Sequence, residues 1–445
     1  MNEYLEIATA LVGKSLTFFI GTGFSKHLTD GKAPNWLELL IECTKVIDKD
    51  SILINTLFEK DNNGEICKCR YDLTICAQVL ELEYLKRDKN LRETVCEIIS
   101  DRTKFLEVNT DKANRLKEFF IKCPDINIIT TNYDTLISEF LLTENTRVFI
   151  DGTPIPSVNM GQNIYHIHGS INNPESIILT MNDYFTFQHR QSYLSRKFYT
   201  LLQETTTVIL GYSLGDFDLN SILNEVQASS NQVLKRSNIY YITRDEYVPE
   251  AYKNYYLYTY GIHVIEWCEI DEFFEKLSSK IDEAKAIIDS VQDLKNVLYR
   301  KYVFTDEFLK LKGSLYKILL QASSLGIGVN NPKFRKLLID LLNKKKEFTQ
   351  QSGAWAQYEH LAEWLIEVGS IINIKNTVLE DDYLELVEYS FRNMSKVQYL
   401  GYSWESYNVW RRGWNNIKLE NRKAIEKLAK EQFNKSHCSY HLFAS

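Results

Sequence analysis

LTFFIGTGFSK, Leu16 to Lys26, is the stretch on which the reading of the chain turns. Leu16 to Ile20 is apolar except for Thr17. A short run without polar alternation is what a parallel strand covered on both faces requires. Gly21 and Gly23 follow at once. Glycine lets the backbone turn tightly and approach a ligand where a Cβ would intervene. A helix beginning near Ser25 would turn its free N–H groups toward an anion over the loop. The stretch therefore predicts a phosphate-cradling strand and loop. It is not the dinucleotide fingerprint, because Lys26 stands where GxGxxG wants its third glycine, and there is no GK[ST] of a P-loop. An ordinary strand-to-helix turn would use the same residues.

Working outward, the same kind of run recurs. Ile126 to Thr131 (INIITT) leads into Asn132, Tyr133 and Asp134, with a helix expected from about Thr135. Tyr165 to Ile167 leads into His168, Gly169 and Ser170, and Thr207 to Leu210 into Gly211, Tyr212, Ser213, Leu214, Gly215 and Asp216. Two more strands are expected at Ile239 to Thr243 and Ile262 to Trp267. Strands alternating with helices imply an α/β domain with a doubly wound parallel sheet. Ligands of such sheets bind outside the carboxyl ends of the strands. The four polar clusters all lie at such ends and are expected to converge.

Between the first two strands, from about residue 42 to 122, the pattern is mostly helical with charged interruptions at Lys60 to Gly64 and Lys86 to Lys89. That is too long for one crossover helix and reads as a helical insertion beside the sheet. Past about residue 275 only helical periodicity remains. Trp355, Tyr358, Leu361, Leu365 and Val368 share a stripe, and Gly326 to Pro332 is the strongest loop. The domains expected are 1–275, α/β, and 276–445, all-helical.

Composition narrows the function classes. The net charge is −7, unevenly spread: 26 basic and 36 acidic residues in 1–270, against 26 and 23 in 271–445. An acidic first part suits a phosphate-backbone surface poorly, which argues against direct nucleic-acid binding there. No apolar run reaches membrane-spanning length, and MNEYLEIATALVGK lacks the features of a signal peptide. Eight irregularly spaced cysteines suit reduced thiols. A cytoplasmic protein with no membrane contact is expected.

Several residues invite chemistry. The carboxamide of Asn132 can orient a hydroxyl or a water, and the carboxylate of Asp134 can take an amide N–H; helix capping is the plainer reading of either alone. His166 and His168 are two apart and could face one way on a strand. No further ligands stand at a usable spacing, so neither zinc nor another metal is expected. His168 reads better as a strand-end general base, and His166 as a core or supporting residue. Cys67, Cys69 and Cys76 lack a second paired arm and read as thiols of the insertion. Lys344 to Lys346 reads as a solvated helix face. The Tyr- and Trp-rich segment 397–417, with Arg411 and Arg412, reads as core or as a partner surface.

Taken in order, GTGFS, TTNYD, HIHGS and GYSLGD resemble the sirtuin catalytic domain, in particular its bacterial zinc-less branch from anti-phage defence. The resemblance covers about residues 10–275 and implies a Rossmann-like site for NAD+. It implies that Gly21, Thr22, Gly23 and Ser25 hold the pyrophosphate, that Thr131 also binds the cofactor, and that Gly211 and Ser213 serve the adenosine side. Asn132 would position the nicotinamide ribose or the attacking water, Asp134 would meet the carboxamide, and His168 would act on the ribose hydroxyls. Residues 169–210 hold no cysteine, where a sirtuin zinc ribbon should fall, and KHLTDGKAPNW lacks the PDFR-type sequence of protein deacylases. The resemblance therefore implies NAD+ hydrolysis to nicotinamide and ADP-ribose rather than deacylation. A non-catalytic module that senses NAD+ or ADP-ribose is the alternative. The helical second domain is expected to restrain the activity through a homo-oligomer or a partner such as a HerA-like ring ATPase.

Overall fold

The computed structural model describes residues 3–141, 146–153, 161–190, 193–215, 217–229, 234, 237–245, 247–375 and 377–443. The chain divides into two compact units, the first closing at Ile281 and the second running on from Asp282. The sequence pattern alone places the division at residue 275, inside a helix. That helix, Ile270–Ser278, belongs to the first unit because its Phe274 ring lies 5.5 Å from Phe18 of the central strand.

The strands, in chain order, are β1 Leu16–Ile20, β2 Phe58–Lys60, β3 Ile66–Cys69, β4 Asn127–Thr130, β5 Arg147–Phe149, β6 Asn163–His166, β7 Thr206–Leu210, β8 Ile239–Ile242 and β9 Ile262–Ile265. Seven of them form one sheet in the order β5-β6-β4-β1-β7-β8-β9, every neighbouring pair parallel. All five residues of β1 are buried. Its side chains alternate between two cores. Phe18 packs against Phe119, Phe120 and Phe274 on one face, whereas Phe19 packs with Phe198, Leu201 and Leu202 on the other. Each such phenyl contributes about 2 kcal/mol of burial, so a polar residue at either position would open one core or the other. β5 escapes the sequence pattern because an edge strand of three residues carries too little periodicity.

The helices of the first unit that bear on the site are α1 Glu3–Val12, α2 Thr22–Leu28, α3 Trp36–Ile47, α4 Ile52–Leu57, α5 Leu73–Leu85, α6 Leu91–Thr103, α7 Thr110–Lys122 and α8 Met181–Arg190. The insertion is shorter than the sequence pattern suggests. It comprises α3 to α6 around their own core of Leu40, Cys43, Cys76, Leu80, Tyr84 and Val95. α7 lies on the sheet, its Phe119 ring 4.8 Å from Phe274. Nor is the insertion wholly helical: β2 and β3 form an antiparallel hairpin. Its turn is the charged stretch after Lys60, where the Asp61 carboxylate accepts the N–H groups of Asn63 and Glu65. Asn-Gly between two strands is a hairpin signal, and here it marks a turn rather than a break between helices. Beyond Asp134 the described residues Ile137–Leu141 wind as a π-helix, where an α-helix is expected.

The second unit is all-helical among the described residues. Leu361, Leu365 and Val368 of the expected stripe are buried, whereas Trp355 is exposed. The aromatic segment divides: Trp410 and Trp414 are core, and Tyr399, Leu400 and Tyr402 face solvent. The lysine run is not a uniformly solvated face. Three consecutive residues span more than half a helical turn, and the middle one, Lys345, is fully buried. Its ammonium donates to Leu309 O at 2.6 Å and Gln357 Oε1 at 3.0 Å and lies 4.4 Å from the Trp364 ring, while burial holds its pKa down at about 8.

Candidate active site

Register assembles the site. Ile20 pairs with Thr130 on one side and Leu210 on the other; Thr130 pairs with His166, and Leu210 with Ile242. Five adjacent strands thus end level, and the loops after them share one rim. A cavity of about 1000 Å³ opens there. At the usual strand spacing of about 4.8 Å, five strand ends span roughly 19 Å. The chain leaves β1 toward β4 and returns beyond it at β7, so the middle of this rim is the topological switch point of the sheet.

The two glycine loops meet at that point, backbone to backbone. Gly21 N–H donates to Leu210 O at 2.9 Å and Gly23 N–H to Gly211 O at 2.7 Å. A Cβ on Gly21 would stand 2.6 Å from Gly211 O, and one on Gly23 would stand 2.8 Å from Gly211 Cα. Gly211 has φ +63°, and its Cβ would reach 2.3 Å from Phe24 N. These glycines are therefore required by each other. The resemblance implies that Gly21 and Gly23 hold the pyrophosphate; their own N–H groups are bonded within the protein. Thr22, Gly23, Gly211 and Ser213 line the cavity; Gly21 and Ser25 lie behind its wall.

Ser25 has a different place from the one implied by the phosphate reading. It is buried, and its hydroxyl donates to Asp134 Oδ2 at 2.7 Å while accepting from Asn132 Nδ2 at 2.8 Å. The Asn132 amide also donates to Gly21 O at 3.0 Å. A carbonyl can only accept, so this contact fixes which end of the amide is nitrogen. Asn132 Oδ1 is then left buried without a hydrogen-bond partner among the described residues, on a side chain that lines the cavity. A buried acceptor without a donor costs about 1–3 kcal/mol, and a bound hydroxyl or water would relieve it. Asp134 also accepts Leu136 N–H at 3.1 Å. Burial pushes its carboxyl above the ordinary range, against the Ser25 and Leu136 hydrogen bonds that pull it down. Thr131 lines the cavity beside Asn132. His166 stands behind this group, its Nδ1 3.0 Å from Asn132 O, and burial holds its pKa down at about 4.

His168 lines the cavity from the turn after β6. Its ring meets those of Tyr184 and Phe187 edge to face, at 5.5 and 5.8 Å between centroids. Tyr184 in turn stacks on Trp36 of the insertion. The cavity thus has a strand-end floor and an aromatic wall, and the wall is absent from the sequence reading. Thr243, Arg244 and Asp245, after β8, also line the cavity and were likewise missed. Their signal was available, since Thr243 ends an expected strand and Arg244 and Asp245 follow it. Among the described residues no three His, Cys, Asp or Glu side chains gather as a metal site, and no helix is long and apolar enough to cross a membrane.

Residues 126–265 match the family model described as SIR2-like domain. The match covers less than a third of the chain. The match runs from the strand before Asn132 to the last strand of the sheet. Among curated proteins, the chain is 22% identical to Defense-associated sirtuin 2 of Bacillus subtilis over 227 residues, half of this chain and 20% of that protein. It is 24% identical over 137 residues to Uncharacterized protein y4cA of Sinorhizobium fredii (strain NBRC 101917 / NGR234), 28% of this chain and 11% of that one. The aligned stretches span a fifth or less of these relatives. The seven-stranded parallel sheet with flanking helices is the Rossmann-like architecture expected for a SIR2-like domain.

Proposed function

We propose that the first unit is an NAD+ glycohydrolase that cleaves the bond between nicotinamide and ribose, with water as the acceptor. The observation that carries this reading is Asn132 Oδ1, a buried acceptor without a hydrogen-bond partner among the described residues, on a side chain that lines the cavity at the switch point of the sheet. The rim of about 19 Å suits an extended dinucleotide.

The bond electrons leave with nicotinamide as a neutral ring, while positive charge develops on the ribose. A water oxygen bonds to the carbon released and one proton departs, giving nicotinamide, ADP-ribose and H⁺. Asn132 Oδ1 accepts from the entering water or a ribose hydroxyl and so orients it. His168, which lines the same cavity, takes the proton. The Ser25–Asp134 pair holds the Asn132 amide and prevents it from flipping. Asp134 itself reaches the cavity and can meet the carboxamide of nicotinamide. Thr22, Gly23, Gly211 and Ser213 form the floor beneath the pyrophosphate and adenosine.

The kinship with a defence-associated sirtuin supports a role in anti-phage defence, in which NAD+ depletion would arrest the infected cell. Free hydrolysis would be toxic, so the helical unit would restrain it, through a homo-oligomer or a partner such as a HerA-like ring ATPase. The test is nicotinamide and ADP-ribose release from NAD+ by the wild-type protein beside His168→Ala, with NAD+ binding measured by calorimetry. Turnover by wild type, and retained binding without turnover in the variant, is the expected result. Binding by both proteins with turnover by neither, in infected cells as well, would favour a sensor of NAD+ or ADP-ribose instead.

A further inference from the structure

Residues 177–183 form a strap between the turn that carries His168 and helix α8. The middle of the strap is bonded inward: Ile178 N–H donates to His168 O at 2.9 Å, and Ile178 O accepts Tyr133 Oη–H at 2.7 Å. Its far end starts α8, where the Asp183 carboxylate accepts the N–H groups of Leu179 and Thr180 at 3.0 and 2.8 Å. One turn on, Tyr184 and Phe187 supply the rings against His168.

A single side chain from the insertion grips the strap at both ends. Arg92, in the first turn of α6, donates through Nε to Ile177 O at 3.3 Å, and through Nη2 to both oxygens of Asp183 at 2.8 and 2.7 Å. Its Nη1 is bonded to Glu81 of α5. Only the planar fork of a guanidinium can hold a carbonyl, a bidentate carboxylate and a second carboxylate together; a lysine ammonium cannot match that geometry. The pair is mostly shielded, with 17% and 22% of the two side chains exposed.

We infer that Arg92 is a positioning residue for His168, coupling the helical insertion to the chemistry through the 177–183 strap. This rests on the proposed role of His168 in cleaving NAD+. Without the fork, the strap loses the side chain that ties both its ends to the insertion, keeping the Asn182 N–H bond to Gln78 Oε1 at 3.1 Å and the packing of Ile177 and Leu179, and the rings that fix the imidazole can shift with α8. A displacement of about 1 Å at a reacting group lowers turnover by about a hundredfold, while ligand affinity depends on contacts elsewhere along the floor.

The experiment compares wild type, Arg92→Ala, Arg92→Lys and Asp183→Asn for kcat and KM with NAD+. In parallel, the His168 ring signal is followed in ¹³C-histidine-labelled protein and assigned by loss in His168→Gln. Expected are a fall in kcat of about tenfold to a hundredfold in Arg92→Ala with KM within about threefold, partial rescue in Arg92→Lys, and a moved or broadened His168 signal. Asp183→Asn keeps the strap's own acceptor while weakening the fork, so it reports even if Arg92→Ala fails to fold. A wild-type kcat and an unmoved His168 signal in the folded variants would overturn the inference. If wild type itself leaves NAD+ intact, the proposed function fails, and the His168 signal alone decides whether Arg92 positions that ring.

Discussion

The floor and the wall of the cavity are built on different principles. The floor is backbone against backbone: the β1 and β7 loops touch through Gly21, Gly23 and Gly211 with no side chain between them. The wall is side chain upon side chain, running from Trp36 to Tyr184 to His168 with Arg92 behind. A backbone contact has no rotamers to relax, so the floor tolerates nothing added. The wall can adjust, and a change there should move catalysis before it moves stability.

Two glycines give the widest contrast. Gly211→Ala places a Cβ 2.3 Å from a backbone nitrogen at φ +63°, and is expected to cost more than about 3 kcal/mol and to abolish NAD+ binding. Gly64→Ala, in the hairpin of the insertion, meets nothing within 4 Å at φ +83°, and only the left-handed backbone penalty of about 1 kcal/mol should appear. Thermal melts of the two variants measure both.

Titration distinguishes two buried groups at the floor next. His166 keeps its folded pKa near 4 because it is buried behind the floor. Between pH 6.5 and 4 the unfolded chain binds a proton that the folded chain refuses. Stability is therefore complete above 6.5 and declines as pH falls, by up to about 3 kcal/mol. The decline should be missing from His166→Gln in melts taken across that range. Asp134 works in the opposite sense. Its carboxyl is raised by burial, so stability is lost as pH climbs from the ordinary carboxylate value through the raised one. Asp134→Asn is expected to melt at or slightly above the wild-type temperature at pH 7 while its turnover falls, a trade common at strained functional sites.

The smallest effect is expected at the outer edge of the wall. Lys26 pairs with Glu38 at 2.8 Å, partly exposed. Lys26→Met should change stability by less than about 1 kcal/mol, read by denaturant midpoint.

What was legible in the sequence follows the same division. β1, β4, β7 and β8 announce themselves as β-branched or aromatic runs, and each strand end carries residues that line the cavity. Parallel pairing then brings those ends level whatever the loops contain. The wall depends on contacts such as Arg92 with Asp183, 91 positions apart, which no local pattern encodes. Ser25 shows the limit at a single residue. The resemblance makes the serine of GTGFS a pyrophosphate ligand, and only the fold reveals that its hydroxyl is bonded to Asn132 and Asp134. Lys345 shows it again, since a lysine triplet on a helix does not say which of the three turns inward.

The central claim is that Ser25 and Asp134 hold the Asn132 amide so that its oxygen serves the reacting end of NAD+. A double-mutant cycle on nicotinamide release tests it most directly, using Ser25→Ala, Asn132→Ala and the pair. The expected result is a kcat loss of about tenfold or more in Ser25→Ala with KM little changed, and a double variant no slower than Asn132→Ala alone, because both changes remove one function. A raised KM with unchanged kcat in Ser25→Ala, multiplying with the Asn132→Ala defect, would contradict it and return Ser25 to the pyrophosphate.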